Sequence, residues 1–261
     1  GIERAFFVGH DIGGFVIWSQ VFHNEHRCLG AASFNTPLTL WGGLRAKWDA
    51  AGLRGPMAYL ATLPSEAAGT LDYQVYFNLP DLPERELEAD VERTLNAFFR
   101  AVRPNAEHDE NMRYLSTGMR TARVRKNNNR GILALAAEKL ERDELWSEAE
   151  LSAYVEAFER QGFFGPLGYY RNFDANQEWL RQVGCAPEVP GCKVVQVPCL
   201  MVTADKDLVL PPSLAAGMER YFARLSWAEL HCGHWVQHEA PEAASKALLA
   251  WLNSAATRSA L

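Results

Sequence analysis

No apolar run in this 261-residue chain approaches the roughly 18 residues that a membrane-spanning helix needs. Cysteine is sparse. Cys28, Cys185, Cys192, Cys199 and Cys232 are scattered and odd in number, which excludes a disulfide framework and points to a reducing compartment, the cytoplasm. Basic charge is also short, with 26 Lys and Arg against 32 acids and a formal net charge of −6. Nucleic acid and an anionic membrane both want a basic face, so neither is expected as a partner. Methionine is absent before Met57, and no charged leader precedes an apolar stretch. Because residues 4–9 already read as a buried strand, the chain is expected to have lost its beginning. What is present is ordinary globular material, 48% hydrophobic and 22% charged, with enough apolar residues for a sizeable core. Disorder, collagen-like repeats and a coiled coil are excluded. The length suits one or two units.

The opening AFFVGH is a short Phe- and Val-rich run, as expected of a strand covered on both faces. It meets the glycine turn GHDIGG and then FVIWSQVFHNEH, whose large apolar residues have helical spacing. CLGAASFNTP reads as a second strand, stopped by Asn35 and Pro37. From Leu38 to Val183 strand-like runs almost vanish. Amphipathic stretches such as PERELEADVERTLNAFFRAV and SEAELSAYVEAFERQG take over, with the basic loop RVRKNNNRG between them. Residues 38–183 are therefore expected to form a helical subdomain inserted between core segments 1–37 and 184–261. Strand texture returns in VPCLMVTADKD, followed by SLAAGMERYF as a helix, the strand LSWAELHCGHW, and a final helix PEAASKALLAWLNSAA. Alternating strands and helices predict a mainly parallel sheet, with ligands beyond the carboxyl ends of its strands. Asp11, Asp207 and His234 follow three different strands at that end.

The hexapeptide Gly9-His10-Asp11-Ile12-Gly13-Gly14 has the pattern of a strand-to-helix elbow. Such a turn thrusts its central side chain above the sheet and needs small residues around it, a role given to Gly9, Gly13 and Gly14. Two rival readings compete with it. A dinucleotide fingerprint wants glycine where Asp11 stands, and a carboxylate there would repel pyrophosphate. A plain glycine turn with a solvated aspartate is the other. His234, in HCGHW, could be an ordinary loop histidine. It could also join His231, Cys232, His238 and Glu239 around a metal, although the HExxH spacing is missing. Asp207 could cap the next helix, and Asp205 competes with it for the histidine. The chain order acid nucleophile, second acid, histidine unites all three in a single site.

With VGHDIGG, LDYQVYF, GYYRNF, VPCLMVTADKD and CGHW in place from one end to the other, the chain resembles the soluble epoxide hydrolases of the α/β-hydrolase fold. The resemblance implies a mainly parallel sheet, incomplete at its N-terminal side, with a helical lid inserted after the second strand. It implies that Asp11 attacks an epoxide carbon to form an alkyl-enzyme ester. His234 then activates water, and Asp207 orients the histidine. Tyr73 and Tyr170 act as lid acids on the epoxide oxygen, and the backbone N–H of Ile12 serves the oxyanion. Tyr76 and Tyr169 are expected to be packing. Phe77, Phe163, Phe164 and Trp41 suit either an apolar tunnel or the lid core. No metal or organic cofactor is called for, and the partners are a small apolar epoxide and water.

The elbow aspartate is shared with dehalogenases, which are the nearest alternative. Their members carry Trp or Arg after the nucleophile, where this chain has Ile12, although Asn35 could be read as a halide ligand. A non-catalytic hydrolase-fold fragment is the third reading. The family's HGxP loop, which gives the second oxyanion donor, does not occur in this sequence. The isolated chain is therefore expected to be unstable or poorly active unless the missing N-terminal segment is supplied as a partner, since losing one such donor costs about 10²–10³ in rate.

Overall fold

AFFVGH forms strand β1 (Ala5–His10) in the computed structural model, which describes residues 1–38, 70–71, 73–101, 122–123, 133, 142–182, 193–207 and 209–259. Helix α1 (Ile12–Asn24) and strand β2 (Cys28–Phe34) follow. After the inserted region come β5 (Cys199–Ala204), β6 (Leu225–Leu230), the short helix α8 (Val236–Glu239) and the terminal helix α9 (Pro241–Ser259). Among the described residues these strands make a parallel sheet in the order β1-β2-β5-β6. All six residues of β5 are buried, as a strand covered on both faces requires.

Alternation along the central strands explains the layering. Cys199 and Met201 face the cluster built on α1, while Leu200, Val202 and Ala204 face the one built on α9. Helix α1 offers Ile17, Trp18, Val21 and Phe22 to the first cluster, a stripe on one face of the helix. Helix α9 offers Ala244, Leu248, Trp251, Leu252 and Ala255 to the second in the same manner. The two helices thus cover opposite faces and leave the carboxyl ends of the strands free for chemistry.

Two expectations need correction. Strand β1 forms but is not buried on both faces: it pairs with β2 alone among the described residues, and Val8 is 47% exposed. A strand at an edge lacks the neighbour whose side chains would cover it. SLAAGMERYF is not one helix but two 3₁₀ turns, Pro212–Ala215 and Met218–Tyr221. Gly217 lies between them at φ 85°, a left-handed conformation that interrupts a right-handed helix. The apolar spacing survives because Ala215, Met218, Tyr221 and Phe222 still reach the α1-side cluster.

The chain divides into two compact units, Gly1–Lys47 with Ala175–Leu261, and Trp48–Asp174. In the second, β3 (Thr70–Leu71) pairs antiparallel with β4 (Ala122–Arg123). Its helices are α2 (Tyr73–Phe77), α3 (Leu82–Glu88), α4 (Val91–Phe98), α5 (Glu148–Gln161) and α6 (Phe164–Arg171). Helix α7 (Phe173–Gln182) begins here and ends in the first unit. Asp90 splits the first amphipathic stretch into α3 and α4 by accepting the Arg93 N–H as an N-cap. Ser147 and Glu150 start α5 with a reciprocal capping box. Tyr76, Phe77, Leu87, Leu95, Leu151, Phe163 and Leu167 form this unit's core. Phe77 and Phe163 are thereby core residues, Phe164 is exposed, and Trp41 and nearly all of RVRKNNNRG lie outside the described residues. Among the described residues no helix is long and apolar enough to cross a membrane.

Candidate active site

Asp11 stands between β1 and α1 with φ 52° and ψ −122°, a strained conformation for a residue with a side chain. Its carbonyl accepts hydrogen bonds from the Gly14 N–H (2.8 Å) and the Thr36 hydroxyl (2.7 Å), which tie the turn to the loop after β2. Steric demand is specific. A Cβ on Gly9 would lie 2.3 Å from the Gly13 carbonyl oxygen, and one on Gly14 would lie 2.4 Å from Ser33 Oγ. A Cβ on Gly13, by contrast, meets nothing within 4 Å among the described residues outside its own helix. We expect Gly9→Ala to cost about 1–3 kcal/mol or more, because the clash is with backbone that cannot rotate away. The midpoint of urea unfolding measures it, and an unchanged midpoint would mean that α1 slides freely.

The Asp11 carboxylate does not cap α1 and accepts no hydrogen bond among the described residues. Its Oδ1 lies 3.9 Å from Nε2 of His234, with the side chain 30% exposed. On the other side of that imidazole, Nδ1–H donates to Asp207 Oδ2 at 2.9 Å. Asp207 is fully buried, and its Oδ1 accepts the N–H groups of Val209 (2.8 Å) and Leu210 (2.9 Å). Burial alone would raise its pKa. The His234 hydrogen bond and charge, the Leu210 N–H and the Asn35 amide outweigh that and hold it well below the usual carboxylate range. Burial alone would lower the pKa of His234, yet Asp207, then Asp11 and Glu239, push it up to about 9. Asp205 does not compete, because it pairs with His231 (Oδ2 to Nδ1, 2.5 Å). Ile12 opens α1, so its N–H is one of the terminal donors that have no partner within the helix.

Three further side chains hold the arrangement and were not legible as such. His10 donates Nε2–H to the His234 carbonyl at 2.7 Å, which fixes its tautomer because a carbonyl only accepts. Burial and the nearby His234 charge lower its pKa, and the two rings lie 4.9 Å apart. Glu239 accepts the Gly233 N–H (2.8 Å) on one oxygen and the Trp235 N–H (3.0 Å) on the other, bracketing His234. Asn35 donates Nδ2–H to Asp207 Oδ2 at 2.6 Å. Glu239 had been legible only as a metal candidate, and its carboxylate is used on backbone instead.

The tyrosines belong to the second unit. Tyr73 opens α2. Tyr170, in α6, is half-buried and packs edge-on against Phe77 (4.9 Å) and Phe173 (5.4 Å). Arg171 fastens α6 to the end of α2: its guanidinium donates to the carbonyls of Phe77 (3.2 Å) and Leu79 (3.1 Å) and pairs with Glu84 at 2.5 Å. The Asn78 amide reaches the Tyr170 carbonyl. The two tyrosine-bearing helices are therefore cross-linked within one unit. Tyr76 is buried core, as packing requires, whereas Tyr169 is 51% exposed and packs little.

The family model for the alpha/beta hydrolase fold matches residues 1–241. "Bifunctional epoxide hydrolase 2" of Sus scrofa is 34% identical over 97% of this chain, which covers 40% of that protein. "Epoxide hydrolase A" of Mycobacterium tuberculosis is 28% identical over 97% of the chain and 70% of its own length. Among solved structures, an epoxide hydrolase from an endophytic Streptomyces superposes with a TM-score of 0.71 at 23% identity, over 96% of this chain and 68% of the other. The chain thus spans only 40% of the length of the bifunctional relatives and about two thirds of the others. On the extent of the family match and the parallel sheet with its elbow, the chain belongs to the α/β hydrolase fold family.

Proposed function

We propose that this protein hydrolyses an epoxide to a vicinal diol through an ester on Asp11. The observation that carries the reading is the Asp11 carboxylate, held on a strained elbow 3.9 Å from a histidine whose far nitrogen is fixed by Asp207. An epoxide carbon is electrophilic, but its leaving group is a poor alkoxide. Asp11 attacks that carbon as the C–O bond breaks, and the oxygen takes a proton from a phenol, a role the resemblance gives to Tyr73 and Tyr170. The helices that carry them are tied together through Arg171, which supports a joint role.

His234 changes part between the steps. While Asp11 is ionised, its charge helps to keep the imidazole protonated, and the pair attract each other. Esterification removes that charge, so the imidazolium releases its proton more readily, and that proton restores the phenol that gave one up to the epoxide oxygen. Neutral His234 then takes a proton from water, and the hydroxide adds to the Asp11 carbonyl carbon. The Ile12 N–H stabilises the tetrahedral oxyanion. Collapse breaks the bond to the diol oxygen, which takes the proton His234 gained from water; the Asp11 carboxyl so formed gives its own proton back to the histidine and is restored as the carboxylate. Apolar small epoxides and water are the reactants in this reading, and no cofactor enters it.

Single turnover of styrene oxide in heavy-oxygen water tests the route. The label should enter the Asp11 peptide, because water attacks the ester carbonyl, and the first diol should be unlabelled at its new oxygen. Label appearing directly in the first diol would overturn the ester. Halide release from a haloalkane with no diol would assign the same machinery to a dehalogenase.

A further inference from the structure

We infer that Asn35 is a positioning residue for the water-activating step, and that its amide sets how strongly Asp207 draws a proton onto His234. This rests on the reading of His234 as the base, but its central test needs no substrate. Asn35 follows β2 at φ 66°, with its N–H donated to the Val202 carbonyl at 2.8 Å, and it is 1% exposed. Its Nδ2 lies 2.6 Å from Asp207 Oδ2, the same oxygen that accepts the His234 Nδ1–H at 2.9 Å. Asp207 Oδ1 is already occupied by two backbone N–H groups. One carboxylate oxygen is therefore shared between an amide and the imidazole.

Sharing has an electronic consequence. Each donor on Oδ2 withdraws charge from it, so the amide weakens the pull of Asp207 on the imidazole proton. A histidine raised too far would stay protonated after Asp11 is esterified and could not act as a base. Asn35 moderates that rise. The amide orientation follows from the same electrostatics: a flip would set its Oδ1 against the Asp207 carboxylate. In the observed orientation Oδ1 is buried without a hydrogen-bond partner among the described residues. Asparagine meets both local demands, since it tolerates positive φ and carries a donor. The negative charge of Asp207 beside the Asn35 amide disfavours a halide at that nitrogen.

Other groups acting on the pair are Asp11, Glu239, the His10 imidazole and Cys232, with Asp205 and Lys206 acting on Cys232. None lies on β2, so a change at Asn35 leaves them in place.

Asn35→Gly keeps the left-handed backbone and removes the amide. The His234 ring titration, followed by NMR without substrate, should move upward by about half to one pH unit. The Asp11 ester should form at the parental rate and decay about 3- to 10-fold more slowly at pH 7, with the loss recovered as pH rises. In the parental protein, the Asn35 amide proton resonance should follow the His234 titration, a measurement that does not depend on a variant folding. An unmoved His234 titration in Asn35→Gly, or an Asn35 resonance flat across it, would overturn the role and leave only packing. Absence of diol from the parental protein would instead count against epoxide hydrolysis, whatever the titrations show.

Discussion

His234→Gln should leave the first half of the reaction standing and stop the second. Treated with an epoxide, the variant is expected to accumulate a stoichiometric ester, seen as a mass increment on the peptide bearing Asp11, while steady diol release falls by about 10²–10⁴. The asymmetry follows from geometry. Nε2 of His234 sits 3.9 Å from Asp11 Oδ1, too far for a hydrogen bond but near enough for one water molecule to lie between imidazole and ester. Attack on the epoxide needs the carboxylate and a phenolic acid, neither of which this substitution changes. Hydrolysis needs a base, and glutamine has none. Substitution also removes a charge that buried Asp207 partners, so the variant should be less stable than its parent at neutral pH, where Asp207 is ionised. Loss of diol with no adduct on the Asp11 peptide would show that the histidine serves attack as well as hydrolysis, contrary to the two-step reading.

The elbow was legible in the sequence because its requirements are local. Gly9 must be glycine for a contact four residues away, and a steric rule of that range is written within one hexapeptide. The pairing of Asp207 with His234 was legible through chain order and strand ends, both of which survive in a linear reading. Asn35, His10 and Glu239 were not. Asn35 meets Asp207 across 172 positions and His10 meets the His234 carbonyl across 224, and neither contact leaves a spacing to read. Arg171 lay inside a quoted motif, GYYRNF, yet its work of tying α6 to α2 depends on carbonyls more than ninety residues earlier. The same distinction explains the fold. Stripes on α1 and α9 have a period and could be recognised, whereas exposure of β1 depends on what lies beside it in the sheet. SLAAGMERYF misleads for a related reason: its apolar spacing suits a helix, but Gly217 turns left-handed and the side chains reach the core through two short turns instead.

Asp11→Ser should abolish diol formation altogether while leaving the fold intact. Serine occupies the equivalent turn in esterases, and its side chain is smaller than the one it replaces, so neither the Gly9 contact nor the hydrogen bonds to the Asp11 carbonyl are disturbed. The obstacle is chemical. A serine oxygen that opened an epoxide would form an ether, and an ether has no carbonyl carbon for the His234-activated water to attack. A carboxylate instead forms an ester whose own carbonyl is the point of release, so a nucleophile of this type is needed for turnover on carbon. The variant should show at most one equivalent of a stable adduct, and heavy-oxygen water should not label it. The change also removes the negative charge that helps to raise His234, whose titration should fall below about 9 toward its ordinary range. Urea unfolding should remain a single transition. Sustained diol production by Asp11→Ser would mean that water attacks the epoxide directly and that Asp11 only orients the reactants.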